Sequence, residues 1–214
     1  MKKLFVILFL LSSRTLFADG DFIDSFVLPG LSERGWTVSD AQDDNVIFVS
    51  TGKTLKVIVQ TGEHALEKGI NFGAARLWVN SPGQFVAETK FQIDPLFAIQ
   101  GAGLLYFQDE NNYIKLFRVQ RDGSKQKIVI EGVIDGKKTF PQWIDFSDKS
   151  LILRMTYSGG ECIGWSSLDG SEWVRVGDFY TGFSGDTTIG IFVENQWQDN
   201  PLEAEFDYFK VYQK

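Results

Sequence analysis

Hydrophobic and polar positions alternate along most of this chain with a period of two, most clearly over residues 102–119, AGLLYFQDENNYIKLFRV. Gly103 to Phe107 is apolar or aromatic at nearly every position, the cluster Asp109-Glu110-Asn111-Asn112 interrupts it, and Tyr113 to Val119 resumes with alternating character. This pattern predicts two central strands joined by a short polar turn. In the second strand Ile114 and Leu116 point one way, with Arg118 and Gln120 continuing the row, while Tyr113, Lys115, Phe117 and Val119 point the other. One face therefore wants a core. The other mixes rings with a charge, the composition of a sheet face that receives a ligand or lies under a lid of loops.

Similar runs recur between turn signals at 22–27, 46–50, 54–60, 76–80 and 84–93, and after the hairpin at 127–134, 151–157, 162–167, 173–176, 188–194 and 203–212. No amphipathic helix is expected, and residues 64–68 could wind one helical turn at most. The 21 glycines are spread evenly, prolines are few, and no linker, repeat or low-complexity tract divides the chain. Residues 19–214 are thus predicted to form a single all-β domain of two packed antiparallel sheets, a jelly-roll-like sandwich.

Parity within each run sorts candidate site residues from the core. Val86, Glu88, Lys90 and Gln92 lie opposite Phe85, Ala87, Thr89 and Phe91; Ile152, Arg154 and Thr156 lie opposite Leu151, Leu153 and Met155; Gly190, Phe192 and Glu194 lie opposite Ile189, Ile191 and Val193. If these strands share a sheet, Glu88, Lys90, Tyr113, Lys115, Arg154, Phe192 and Glu194 cover one concave surface, on which Glu88, Lys115 and Arg154 in particular are expected together. The candidate ligand-binding residues are Glu88, Tyr113, Lys115, Arg154, Trp165, Glu194 and Trp197. Trp197 sits in a polar loop, where its ring could stack on a sugar while neighbouring amides bond hydroxyls. Trp36, Trp143 and Trp173 are expected in the core.

Residues 1–18 change the compartment. Lys2 and Lys3, the apolar run LFVILFLL and a polar tail read as a secretory signal peptide too short to be a permanent membrane span. The expectation is a soluble protein, secreted or periplasmic. Its removal takes three of the 21 basic residues and none of the 28 acidic ones, leaving 18 − 28 = −10. Nucleic acid is thereby excluded as a partner, since phosphate binding needs a basic footprint. The single cysteine, Cys162, allows no intramolecular disulfide and is expected as a small buried hydrophobe. The lone His64 has no companion for a histidine-based zinc site and is expected in solvent.

Glu203-x-Glu205-x-Asp207 would align three carboxylates on one strand face, the spacing jelly-roll glucanases use for nucleophile, helper and acid, but in a different order of residue types. No catalytic residue is assigned. No cofactor is expected, except that a structural calcium could take oxygen ligands from Asp24 or Asp207. Ser167 to Trp173 fits Ser-x-Asp-Gly-x-x-Trp, a structural turn resembling the Asp-box of secreted carbohydrate-active β proteins.

The succession GQFVAETK (83–90), AGLLYFQDENNYIKL (102–116), LILR (151–154), SSLDGSEW (166–173), IGIF (189–192) and EFDYF (205–209) resembles the concanavalin A-like domain found at the C-terminus of many β-xylosidases and in stand-alone relatives. The resemblance runs from about Asp21 onward and implies a two-sheet jelly roll that supports or contacts glycans beside a catalytic domain. With its own leader and no catalytic propeller, this chain is expected to work alone or in a non-covalent assembly. The expected role is an exported glycan-binding or glycan-enzyme accessory protein for a polysaccharide or oligosaccharide, with charged residues favouring an acidic or substituted glycan. Two alternatives stand beside it: a weak glycoside hydrolase or polysaccharide lyase using concave-face carboxylates, and a structural or protein-interaction domain with a protein partner in the cell envelope.

Overall fold

The computed structural model describes residues 21–39, 45–121, 125–198 and 200–214; the leader at 1–18 and the side chain of Trp197 lie outside the described residues. The first strands in chain order are β1 (Phe22–Asp24), β2 (Thr37–Val38), β3 (Val46–Ser50), β4 (Leu55–Val59), β5 (Gly62–His64), β6 (Ala75–Asn80), β7 (Phe85–Ile93), β8 (Gln100–Asp109) and β9 (Asn112–Arg121). They are followed by β10 (Lys125–Ile134), β11 (Lys137–Lys138), β12 (Gln142–Asp145), β13 (Ser150–Ser158), β14 (Glu161–Ser167), β15 (Val174–Tyr180), β16 (Thr188–Gln198) and β17 (Leu202–Gln213). One 3₁₀ turn at Ser32–Arg34 is the sole helical element among the described residues, and no helix there is long and apolar enough to cross a membrane.

Two antiparallel sheets form the sandwich. The first, here the terminal sheet, runs β15-β14-β13-β7-β17-β4-β3 with β1 also on β17; the second, the hairpin sheet, runs β11-β10-β9-β8-β16-β6-β2 with β12 on β10 and β5 on β16. The β8–β9 hairpin turns as its sequence predicts, because Asp109 Oδ1 accepts the Asn111 backbone N–H at 2.7 Å and the Asn112 side-chain amide at 3.1 Å. Side chains from the two inner faces interdigitate, Phe85, Phe91, Phe206 and Phe209 from one sheet against Leu104, Tyr106, Ile114, Leu116, Ile189 and Ile191 from the other. Each such side chain stabilises the fold by roughly 1.5–3 kcal/mol relative to exposure, so the core holds the domain without a disulfide. Cys162 is fully buried in it, as expected.

The inward and outward rows of β7, β9, β13 and β16 alternate as expected, but Trp143, Trp173 and His64 are placed differently from expectation. Trp36 is in the core, its indole N–H donating to Asp24 at 2.7 Å, whereas Trp143 is half exposed with the Lys127 ammonium 4.8 Å from its ring, and Trp173 lies on the outside of the terminal sheet. Trp143 belongs to the edge strand β12 and Trp173 immediately precedes the edge strand β15, and an edge leaves one flank open to water. His64 is buried rather than solvated, its Nδ1 3.1 Å from the Gly73 carbonyl. Residues 64–68, for which one helical turn at most is expected, make none. The connection from β5 to β6 instead folds back on itself through a Glu67–Asn71 bridge and lies over the outer face of the hairpin sheet.

Candidate functional site

The expected shared face does not exist, because a sandwich has two outer faces. Glu88, Arg154 and Trp165 stand on β7, β13 and β14 of the terminal sheet; Tyr113, Lys115 and Glu194 stand on β9 and β16 of the hairpin sheet. Glu88 and Arg154 are therefore on the opposite side of the molecule from Lys115. On the terminal sheet the Glu88 carboxylate is saturated: it accepts Arg154 Nε at 3.0 Å and Nη2 at 2.7 Å, the Tyr208 hydroxyl at 2.6 Å and pairs with Lys210 at 2.7 Å. Burial alone would raise its pKa, but the bonds from Lys210, Tyr208 and Arg154 together hold it below the ordinary carboxylate range. Arg154 in turn lies flat on Trp173, 3.6 Å from the ring centroid. This is a charge ladder closed on itself, flanked by the half-buried Trp165 on the neighbouring strand.

The outer face of the hairpin sheet is the mixed one, and much of it is covered. The β5–β6 connection crosses it as a strap that buries Leu66 and Ala74 against Leu105, Tyr113, Phe117, Val129 and Phe192. Lys68 pins the strap at its far end, its backbone N–H donating to the Tyr113 hydroxyl at 3.1 Å and its ammonium to Asn111 at 2.6 Å. Beneath lies an ion network in which Lys115 meets Glu194 at 3.1 Å and Glu131 at 3.4 Å, with Arg121 closing on Glu131 at 2.5 Å. Burial would lower the Lys115 pKa, but the two carboxylates outweigh it and raise it; Glu194, fully buried, is pushed up by its own desolvation. Tyr113, Lys115 and Glu194 are thus structural groups under a lid, unable to touch a ligand while the strap is in place.

What the strap leaves open is a cavity of about 200 Å³ at its β6 side, lined by Arg76, Leu77, Trp78, Leu105, Phe107, Gln108, Thr188 and Gly190. The half-buried Arg76 guanidinium lies 5.5 Å from the Trp78 ring centroid and 5.7 Å from that of Phe107. It donates through Nη2 to the Phe72 carbonyl of the strap at 3.3 Å, while its buried Nε has no partner. Gly190 keeps the floor low: a Cβ there would meet the Leu77 carbonyl oxygen at 1.9 Å, so the backbone itself forms the bottom. Sequence reasoning missed this group. The signal was present in ARLWVN, where alternation puts Arg76 and Trp78 in one outward row opposite Ala75, Leu77 and Val79.

Residues 81–212 match the family model of the β-xylosidase C-terminal concanavalin A-like domain. The chain belongs to this family. As a concanavalin A-like domain it superimposes on a functionally unknown protein from Saccharomyces cerevisiae with a TM-score of 0.72 at 14% identity, over 87% of this chain and 99% of that one. It is also similar to the GH43 protein of Bacillus licheniformis (TM-score 0.75, 18% identity, 90% of this chain and 39% of that one). The xylan β-1,4-xylosidase of Bacillus halodurans gives 0.73 at 18% identity, over 92% of this chain and 40% of that one. The chain therefore spans about 40% of the length of these two bacterial proteins, and identities this low establish a shared fold. No curated protein matches the sequence.

Within this glycoside-hydrolase-associated sandwich the aligned carboxylates of β17 are all engaged. Glu203 pairs with Lys56 at 2.7 Å, Glu205 accepts the Thr54 hydroxyl at 2.7 Å and the Gln92 amide at 2.8 Å, and Asp207, displaced by a bulge between Phe206 and Tyr208, pairs with Lys90 at 2.6 Å. The Thr54 hydroxyl and then the Gln92 amide hold the Glu205 pKa below its ordinary value, the wrong direction for a general acid. Asp24 and Asp207, the two carboxylates considered for calcium, have partners within the protein. Asp24 binds Arg34, the Trp36 indole and the Phe26 backbone N–H, and Asp207 holds Lys90. Among the described residues, no group of three or more His, Cys, Asp or Glu side chains could hold a metal ion.

Proposed function

We propose that this concanavalin A-like domain is an exported, secreted or periplasmic, glycan-binding accessory protein that does no chemistry of its own. The observation that carries this reading is the Arg76–Trp78–Phe107 cavity, an aromatic-walled hollow with a polar group at its edge, left uncovered on the mixed face of a domain whose family accompanies β-xylosidases. Its volume of about 200 Å³ lies below the roughly 300–1,000 Å³ of drug-sized sites and has room for one sugar ring rather than an oligomer. Support for the absence of catalysis comes from the carboxylates: Glu88, Glu203, Glu205 and Asp207 each hold a cation or an amide, and Glu194 is sealed beneath the strap. A shallow site of this kind binds weakly, in the micromolar to millimolar range or roughly −8 to −4 kcal/mol.

Screening the purified protein on a glycan array, with reducing-sugar release measured in parallel, tests the proposal. Binding without release is expected, with Trp78→Ala weakening it at least tenfold in a protein whose circular dichroism is unchanged. Sugar release that disappears in Glu203→Gln or Glu205→Gln would replace this reading with the hydrolase one.

A further inference from the structure

We propose that Arg76 makes the cavity selective for a carboxylated sugar, a uronic acid residue, an inference that rests on the glycan-binding reading above. The argument starts from charge. In a chain with 28 acidic and 21 basic residues, several cations of the two outer faces hold carboxylates: Arg154 and Lys210 hold Glu88, Lys115 holds Glu194 and Glu131, and Arg121 holds Glu131. Arg76 has none among the described residues; it has one long bond to a carbonyl and a buried Nε with no partner. Burial pushes its pKa down and no neighbouring carboxylate restores it. A guanidinium desolvated this far and left unpaired is destabilising, and an incoming carboxylate would relieve it with parallel N–H···O bonds in the geometry a planar fork favours.

The other polar groups of the cavity are already committed. Gln108 Oε1 accepts the Ser184 backbone N–H at 3.0 Å and its Nε2 donates to Asp109 at 3.3 Å, while the Thr188 hydroxyl donates to the Phe107 carbonyl at 3.2 Å. The unmet demand is for an acceptor, and it lies against rings. Trp78 and Phe107, with Leu105, offer apolar wall that an inorganic anion or an aspartate side chain would leave uncovered, whereas a pyranose carries a C–H face and a carboxylate on one rigid ring. Rigidity matters in a site for a single residue, because each rotor frozen on binding subtracts from affinity.

Calorimetric or NMR titration of the full protein with methyl glucuronide and methyl galacturonide, beside methyl glucoside, methyl galactoside and methyl xyloside, tests this. We expect at least tenfold tighter binding of the uronides. Arg76→Gln should erase that preference, bringing the uronides and the neutral sugars to within about twofold of one another, and Arg76→Lys, which keeps charge but not the fork, should restore only part of it. Thermal stability provides an independent readout: Arg76→Met should leave the melting temperature unchanged or raise it, since it removes an unpaired desolvated charge. Equal binding of neutral and acidic sugars, indifferent to Arg76→Gln, would overturn the uronate assignment and leave glycan binding intact. Failure of the folded protein to bind any glycan would overturn the glycan reading itself, and Arg76-dependent binding of an acidic peptide without uronide binding would reassign the cavity to a protein carboxylate.

Discussion

Asp169 illustrates how one side chain can fix a turn from the water side. Its carboxylate accepts the Ser171 hydroxyl at 2.7 Å and the backbone N–H groups of Ser171 and Glu172 at 2.8 and 3.3 Å, and Ser167 Oγ accepts the Gly170 N–H at 2.9 Å. Gly170 adopts the left-handed conformation (φ 82°) that the turn needs, and the Trp173 indole closes it on the Gly170 carbonyl at 3.0 Å. The Ser171 hydroxyl first, then the backbone donors, hold the Asp169 pKa at about 2, against an ordinary 3.8. A pKa lowered on folding means stability that is fully present above the ordinary value and lost as pH falls through the folded one. Asp169→Ala should therefore lower the melting temperature at pH 7, with the gap to the unmodified protein closing between pH about 4 and about 2 and glycan binding untouched. An equal melting temperature for the two proteins at pH 7 would show that the turn does not depend on this carboxylate.

At the scale of elements, the strap decides what the hairpin sheet can do. Lys115 has 4% of its side chain exposed and stands between two carboxylates, so Lys115→Met would leave Glu194 buried with no cation and Glu131 with Arg121 alone. Removing one partner of a buried ion pair costs about 3–5 kcal/mol, whereas replacing both by apolar groups is often neutral. Urea unfolding should show that loss for Lys115→Met and recover most of it in Lys115→Met/Glu194→Leu; a double variant no better than the single one would mean that the two side chains are not coupled. The same elements explain what was legible beforehand. Alternation identified the inward and outward rows of β7, β9, β13 and β16 correctly, because period two follows from the pleat itself. It could not place Glu88 and Lys115 on different sheets, because parity distinguishes inside from outside and a sandwich has two outsides. The strap has no long periodic run, and its role arises only once Leu66 and Ala74 meet Phe117 and Phe192. The cavity is less local still: β16 lies between β6 and β8, so Arg76, Phe107 and Gly190 become neighbours through pairings that no sequence window contains.

The whole molecule carries a formal charge of −7 and a pI near 4.8, so an anionic sugar approaches a protein that repels it from afar and attracts it only at Arg76. These two terms have different ranges. The repulsion is summed over a surface tens of ångströms across and is suppressed as the screening length falls from about 30 Å at 0.01 M salt to about 8 Å at 0.15 M. The contact with a half-buried guanidinium is short and partly shielded from solvent ions, so salt weakens it much less. Affinity for methyl glucuronide should therefore hold steady or rise between 0.01 and 0.15 M salt, contrary to the fall expected for a basic protein binding the same ligand. The neutral glucoside, which feels neither term, supplies the reference, and Arg76→Gln should keep the repulsion while losing the attraction, so that its residual uronide affinity gains proportionally more from added salt. Titrations of both proteins at three salt concentrations measure this directly. A steep fall in uronide affinity with salt in the unmodified protein would mean that a wider basic field, not the single arginine in its aromatic cavity, draws the ligand.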